Sequence, residues 1–259
     1  MNKDDFSAVK QALRVFSRTE IESLPSDVLM ERIDRKFLTS RQHISELLSG
    51  LESNYNAIEA AGSVVAPYET LYFDTKNLAF FTMHHSGYGH RIKVRYRHYP
   101  RTNTTFLEVK RKNNKGFTGK DRIETDGVKN VLSQNEKQFL RGQLKDYTPD
   151  DLKAGVRISY TRLGFISKDG GERFSVDFDM KATLGGDEVS FGKLAIFEVK
   201  QERVCTTPVI AHLRNHRIRE ESVSKYCAAL SLLNSDLKSN LFKSAIRRIQ
   251  KIDNEAVYQ

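Results

Sequence analysis

The sequence predicts an α+β fold. Its core is a large antiparallel β-sheet of about eight or more strands, rolled into a tunnel with helices packed on the outside. Three observations carry this reading. Medium-length strand patterns recur along most of the chain, joined by short hairpin-like loops. The strands pair one ionic face with one apolar face. Amphipathic helical stretches are available to cover the apolar faces, which leaves the charged faces to line a bore.

Taken in order, residues 4–23 have helical spacing (Phe6, Val9, Leu13, Phe16) and read as an N-terminal appendage over 1–27. The tunnel domain is expected over 28–235. It opens with strand alternation at 30–38, followed by a helix capped by Thr39 or Ser40, with Ile44, Leu47, Leu48 and Leu51 as its apolar stripe. Further strands are predicted at 55–60, 68–75, 89–99, 104–112, 116–124, 156–167, 172–180 and 193–201, interrupted by a helix over 128–141. Helices at 206–218 and 222–233 follow, and a basic amphipathic helix falls within a C-terminal segment 236–259.

The ionic faces are distinctive. In RIKVRYRHY (91–99), Arg91, Lys93, Arg95 and Arg97 share one face, and Ile92, Val94 and Tyr96 the other. Glu108, Lys110 and Lys112 oppose Leu107 and Val109. Arg173, Ser175, Asp177 and Asp179 oppose Phe174, Val176 and Phe178, while Glu198 and Lys200 oppose Phe197 and Val199. Arg32, Asp34 and Lys36 oppose Ile33 and Phe37. For a single strand, an ionic face is ordinarily a solvated one. Five strands that repeat Glu-x-Lys and Arg-x-Lys-x-Arg call for an anion in front of them, because like charges in a row repel.

Composition agrees. The chain of 259 residues has 42 Lys and Arg against 33 Asp and Glu, a net charge of +9. Residues 71–122 alone hold twelve Lys/Arg and three acids, so the positive field is concentrated there. Cys205 and Cys227 match no zinc spacing and read as reduced thiols. No signal-peptide core and no long apolar run is found, so a cytoplasmic protein without a transmembrane segment is expected. No P-loop or GxGxxG is present, and GFTGK at 116–120 has the wrong spacing. His84, His85, His90 and His98 lack an HExxH arrangement and read as structural or surface residues.

The motifs ERIDRKF, TLYFDT, KVRYRHY, FLEVKRK, SYTRLGF, RFSVDFD, FEVKQ and SVSKYC, in that order, resemble the polyphosphate polymerase domain of the vacuolar transporter chaperone (VTC) family. That family is part of the triphosphate tunnel metalloenzymes, relatives of the CYTH proteins. Tunnel triphosphatases begin with ExExK; here Arg32-x-Asp34-x-Lys36 departs from that pattern and favours the polymerase branch. The resemblance implies an enzyme that transfers the γ-phosphate of ATP to polyphosphate and releases ADP, with a divalent metal, Mn²⁺ or Mg²⁺. It implies catalytic and phosphate-binding roles for Lys36, Lys93, Arg95, Lys110, Arg162 and Arg173, phosphate contacts from Lys120, Ser224 and Lys225, and a metal on Glu198. Arg91, Arg97, Lys112 and Lys200 share the inward faces without an assigned role.

Such residues suit phosphoryl transfer, which asks the protein chiefly for positioning and charge neutralisation. Two alternatives belong to other classes: a tunnel triphosphatase, and a non-enzymatic polyphosphate-binding module. Nucleic acid is not expected as a partner, because carboxylates within the basic faces gain nothing against a phosphate backbone. Association with a membrane partner stays open.

Overall fold

The computed structural model describes residues 3–24, 33–113 and 118–254. Arg32 and residues 28–31 of the expected domain start, like residues 114–117 of the KGFTGK loop and 255–259, lie outside the described residues. In chain order the elements are α1 (Lys3–Leu13), β1 (Arg18–Glu20), β2 (Ile33–Ser40), α2 (Ile44–Leu48), β3 (Tyr55–Glu59), β4 (Val65–Thr75), α3 (Ala79–His85), β5 (Arg91–Tyr99) and β6 (Thr104–Lys112). They continue with β7 (Thr118–Thr125), α4 (Gln134–Arg141), β8 (Leu152–Ser167), β9 (Glu172–Leu184), β10 (Asp187–Ser190), β11 (Leu194–Gln201), α5 (Pro208–Asn215), α6 (Lys225–Leu233) and α7 (Lys243–Asn254).

The strands form one sheet with the order β2-β11-β9-β8-β4-β5-β6-β7, antiparallel along this path. β10 extends β9 as a hairpin, and β1 and β3 form a parallel pair attached to β8. Among the described residues, β2 and β7 share no backbone bonds, so the ladder is not closed. The sheet is nonetheless curled: Lys110 on β6 reaches Asp34 on β2 at 2.7 Å. The free edge of β2 is covered by residues 220–221, where Glu220 pairs with Phe37 and the Glu221 N–H donates to the Lys36 carbonyl at 2.8 Å.

Alternation decides what is inside. The outward residues of β2, β8, β9 and β11 (Phe37, Leu163, Val176, Phe197, Val199) are buried under α1, α2 and α5. Those of β4, β5 and β6 (Phe73, Val94, Tyr96, Leu107, Val109) lie under α3 and α4. α6 stands differently. Tyr226 stacks on Tyr72 at 4.9 Å, and α6 packs with the inward residues Leu38 and Ile196, so it stoppers one end of the bore.

Several boundaries differ from the sequence reading. The N-terminal helix ends at Leu13 and gives way to β1, because Val9, Leu13 and Phe16 turn into the core, with Phe16 against Phe165 at 5.1 Å. α4 begins only at Gln134, where Ser133 and Glu136 form a reciprocal capping box. α7 starts later than expected, after a 3-10 turn over Asn240–Phe242. α3 was not predicted at all. Its start is held by the buried carboxylate of Asp74, which accepts from the N–H groups of Phe80 and Phe81 at 2.9 Å and from the Tyr226 hydroxyl at 2.5 Å.

Candidate active site

The inward faces enclose a cavity of about 670 Å³. Among the described residues, eleven Lys and Arg side chains line it against five carboxylates. Of the residues singled out from sequence, it brings together Lys36, Lys93, Arg95, Lys110, Lys120, Arg162, Ser224, Lys225 and Glu198, and adds Arg91, Arg97, Lys112 and Lys200. Arg173 is not among its lining residues. It stands on β9 in register with Lys200, one row beyond the pairing of Glu198 with Ser175.

Each strand contributes by register. Lys36 lies beside Glu198 and Asp34 beside Lys200, so β2 and β11 present a checkerboard of opposite charges. Across β5, β6 and β7, Lys93, Lys110 and Lys120 form one row of cations, next to Arg95 and Glu108.

Two buried carboxylates organise the cations. Asp177, 0% exposed, accepts from Arg162 Nε at 2.5 Å and Nη2 at 2.7 Å, and its Oδ2 lies 2.5 Å from Lys225 Nζ. Glu108, 1% exposed, accepts from Arg95 Nε and Nη2 at 2.9 and 2.7 Å and from Lys120 at 3.2 Å. Burial by itself raises both acids. For Asp177, Arg162 and then Lys225 outweigh it and bring the carboxyl to about 2; for Glu108, Arg95, Arg97 and Lys120 hold it below the usual carboxylate range. Both clamps therefore stay ionised at neutral pH, and they hold two forks and two ammonium groups facing the bore.

Lys93 and Arg97 are held differently. Lys93 donates to Ser224 Oγ at 3.0 Å, and burial lowers its ammonium to about 8. Arg97, 4% exposed, donates to the Tyr160 hydroxyl and stacks over Tyr68 at 5.1 Å and Tyr160 at 5.5 Å. Arg162 and Lys225 also lie over Tyr160, at 5.5 and 5.1 Å. A polyanion entering the cavity thus meets cations that are oriented by acids or rings and not neutralised in full.

Glu198 differs from the two clamps. Its oxygens lie 3.6 Å from Lys36 Nζ and 3.6 Å from Arg162 Nη2, longer than the clamp bonds. Burial opposes its charge, yet Lys36 and Lys200 hold it well below the ordinary carboxylate range. Among the described residues, no group of three His, Cys, Asp or Glu converges as a metal cage. One ionised, loosely held oxygen donor fits a hard divalent ion that takes its remaining ligands from phosphate and water, and does not fit an all-protein site.

Sequence reasoning missed Tyr68, Tyr72, Tyr160 and His84, which also line the cavity. The tyrosines were legible: Tyr68 and Tyr72 sit four apart on β4, and Tyr160 sits two before Arg162 on β8, so period-2 extension finds them. His84 carried no strand signal, because it belongs to α3. Glu220 and Glu221 enter from a connecting segment that has no periodicity.

A curled sheet around a cation-lined cavity defines a tunnel protein equipped to hold an anion. Residues 31–234 match the VTC domain, and the chain belongs to that family. No curated protein matches the chain. Similar solved structures include HpAC1 from Hippeastrum, described with a dominant triphosphatase activity, at 16% identity and TM-score 0.48, covering 81% of this chain and 100% of that one. PH1819 of Pyrococcus horikoshii is 13% identical with TM-score 0.42, covering 77% and 98% of the two chains. PH1012 of the same organism is 13% identical with TM-score 0.43, covering 78% and 99%. At these scores none of them bears on the activity of the chain. No helix among the described residues is long and apolar enough to cross a membrane.

Proposed function

We propose that this chain is a polyphosphate polymerase that transfers the γ-phosphoryl group of ATP to the end of a polyphosphate chain within the cavity and releases ADP. The observation that supports it is the lining, which among the described residues holds eleven Lys and Arg side chains, two of the guanidinium groups fixed by buried acids. Arg95 and Arg162 are the forks placed to grip equatorial phosphate oxygens, while Lys36, Lys110, Lys120 and Lys225 supply point charge. The acceptor phosphate is already an anionic nucleophile, so the reaction needs no general base from the protein. A divalent ion on Glu198, Mn²⁺ or Mg²⁺, supplies charge neutralisation at the leaving oxygen when bound. The polymerase branch is preferred to hydrolysis because Arg32-x-Asp34-x-Lys36 departs from the ExExK with which tunnel triphosphatases begin.

The test is to incubate the protein with ATP and Mn²⁺ and resolve the products on a polyphosphate gel. Long chains with ADP support the proposal. Orthophosphate marks a triphosphatase, and affinity without metal-dependent turnover marks a binding module. In the same assay Arg95→Gln should lower kcat by roughly 10²–10³-fold, whereas Lys251→Gln, on the exposed face of α7, should leave it unchanged. Equal loss at both positions, in folded protein, rejects the cavity as the site.

Tripolyphosphate should also raise the melting temperature, since it binds only the folded protein. At about 100 times Kd the gain is ~2.7 kcal/mol, or about 5–10 °C for a domain of this size. Sulfate at equal ionic strength should do less, because it cannot span several cations. Equal shifts would indicate general screening.

A further inference from the structure

Among the described residues that line the cavity, His84 is the one imidazole. Its Nδ1 lies 2.7 Å from the Sγ of Cys227, which is 0% exposed in the first turn of α6. Among the described residues, its Nε2 makes no hydrogen bond to protein. The groups facing the pair come from four elements: Arg91 and Lys93 from β5, Lys36 from β2, Lys112 from β6, and Cys227 itself from α6. Asp74, a carboxylate that also acts on the thiol, is engaged by the start of α3 and by Tyr226. Phe242 packs against the ring with centroids 5.7 Å apart, and His84 itself lines the cavity.

We propose that His84 is a further ligand of the polyanion in this cavity, and that it takes up a proton as the anion binds. The proposal rests on reading the cavity as a polyphosphate site. Burial raises the Cys227 thiol, so the S–H is retained and donates to Nδ1, which puts the single imidazole proton on Nε2. In the empty cavity, burial first and then Lys93, Arg91, Lys36 and Lys112 bring His84 from 6.5 down to about 2, so it adds no charge to an already repulsive lining. A bound polyphosphate reverses that field. Its oxygens accept from Nε2–H, and the proton that then enters from solvent sits on Nδ1 with the thiol turned to accept. His84 so acts as a cation only when an anion is present.

The test is calorimetry of tripolyphosphate binding at pH 6.5 without metal, in two buffers of different ionisation enthalpy, for the wild type and His84→Gln. At this pH Lys93, at about 8, is already protonated and contributes little. The wild type should take up more protons per bound anion than His84→Gln, and its affinity should rise more steeply between pH 8 and 6. Equal proton uptake in the two proteins overturns the proposal while leaving the phosphate site standing. Absence of binding by the wild type overturns both. Should His84→Gln not fold, long-range ¹H–¹⁵N spectra of the wild type decide: one imidazole must pass from the Nε2–H to the doubly protonated form on adding tripolyphosphate, and no change rejects the role.

Discussion

Asp177→Asn is expected to lower stability by about 3–5 kcal/mol, the cost of leaving buried cations without their counter-ion. The carboxylate is 0% exposed and holds Arg162 with two bonds and Lys225 with a third contact. Asparagine keeps the shape but offers one acceptor and no charge. Urea denaturation should show a lower midpoint with an unchanged slope. The pH dependence identifies the cause. Asp177 is depressed from 3.8 to about 2, so its contribution is complete above 3.8 and is lost as pH falls through about 2. The stability difference between the two proteins should therefore shrink in acid. A difference below about 1 kcal/mol at neutral pH would mean that Arg162 and Lys225 find compensation elsewhere.

Glu198→Gln is expected to lower metal-dependent ADP release by roughly 10²–10³-fold, because a neutral amide oxygen is a poor ligand for a hard cation. The same change removes a negative charge from between Lys36 and Arg162. Binding of polyphosphate in EDTA should accordingly be kept or strengthened. A Glu198 that serves only as a partner of Lys36 would give the reverse: turnover partly retained, with thermal stability reduced. Measuring ADP release with Mn²⁺ and polyphosphate affinity in EDTA on one preparation separates the two, and retained turnover rejects the metal role.

Both variants belong to a site whose parts were unequally legible. The inward set on β5 and β6, from Arg91 to Lys112, could be read directly, because a strand alternates its side chains whatever it packs against. Arg173 shows the limit of that logic. It shares a face with Asp177 and pairs in register with Lys200, which lines the cavity, yet Arg173 is not among the lining residues. Alternation assigns a face; register and curl assign a depth.

The sequence by itself determined the two-faced strands, the concentration of positive charge over 71–122, and the helices that cover the apolar side. These follow from local periodicity and residue type. Tertiary structure alone decided which distant cations and acids meet: Lys110 with Asp34, 76 positions apart, Lys93 with Ser224, 131 apart, and His84 with Cys227, 143 apart. It also decided that residues 220–221 cover the open edge of β2 and that α6 stoppers the bore. The physical reason is that these contacts depend on how far the sheet curls. Packing of the two outer apolar clusters against their helices, and of α6 against inward residues, accompanies that curl, and no local pattern records it.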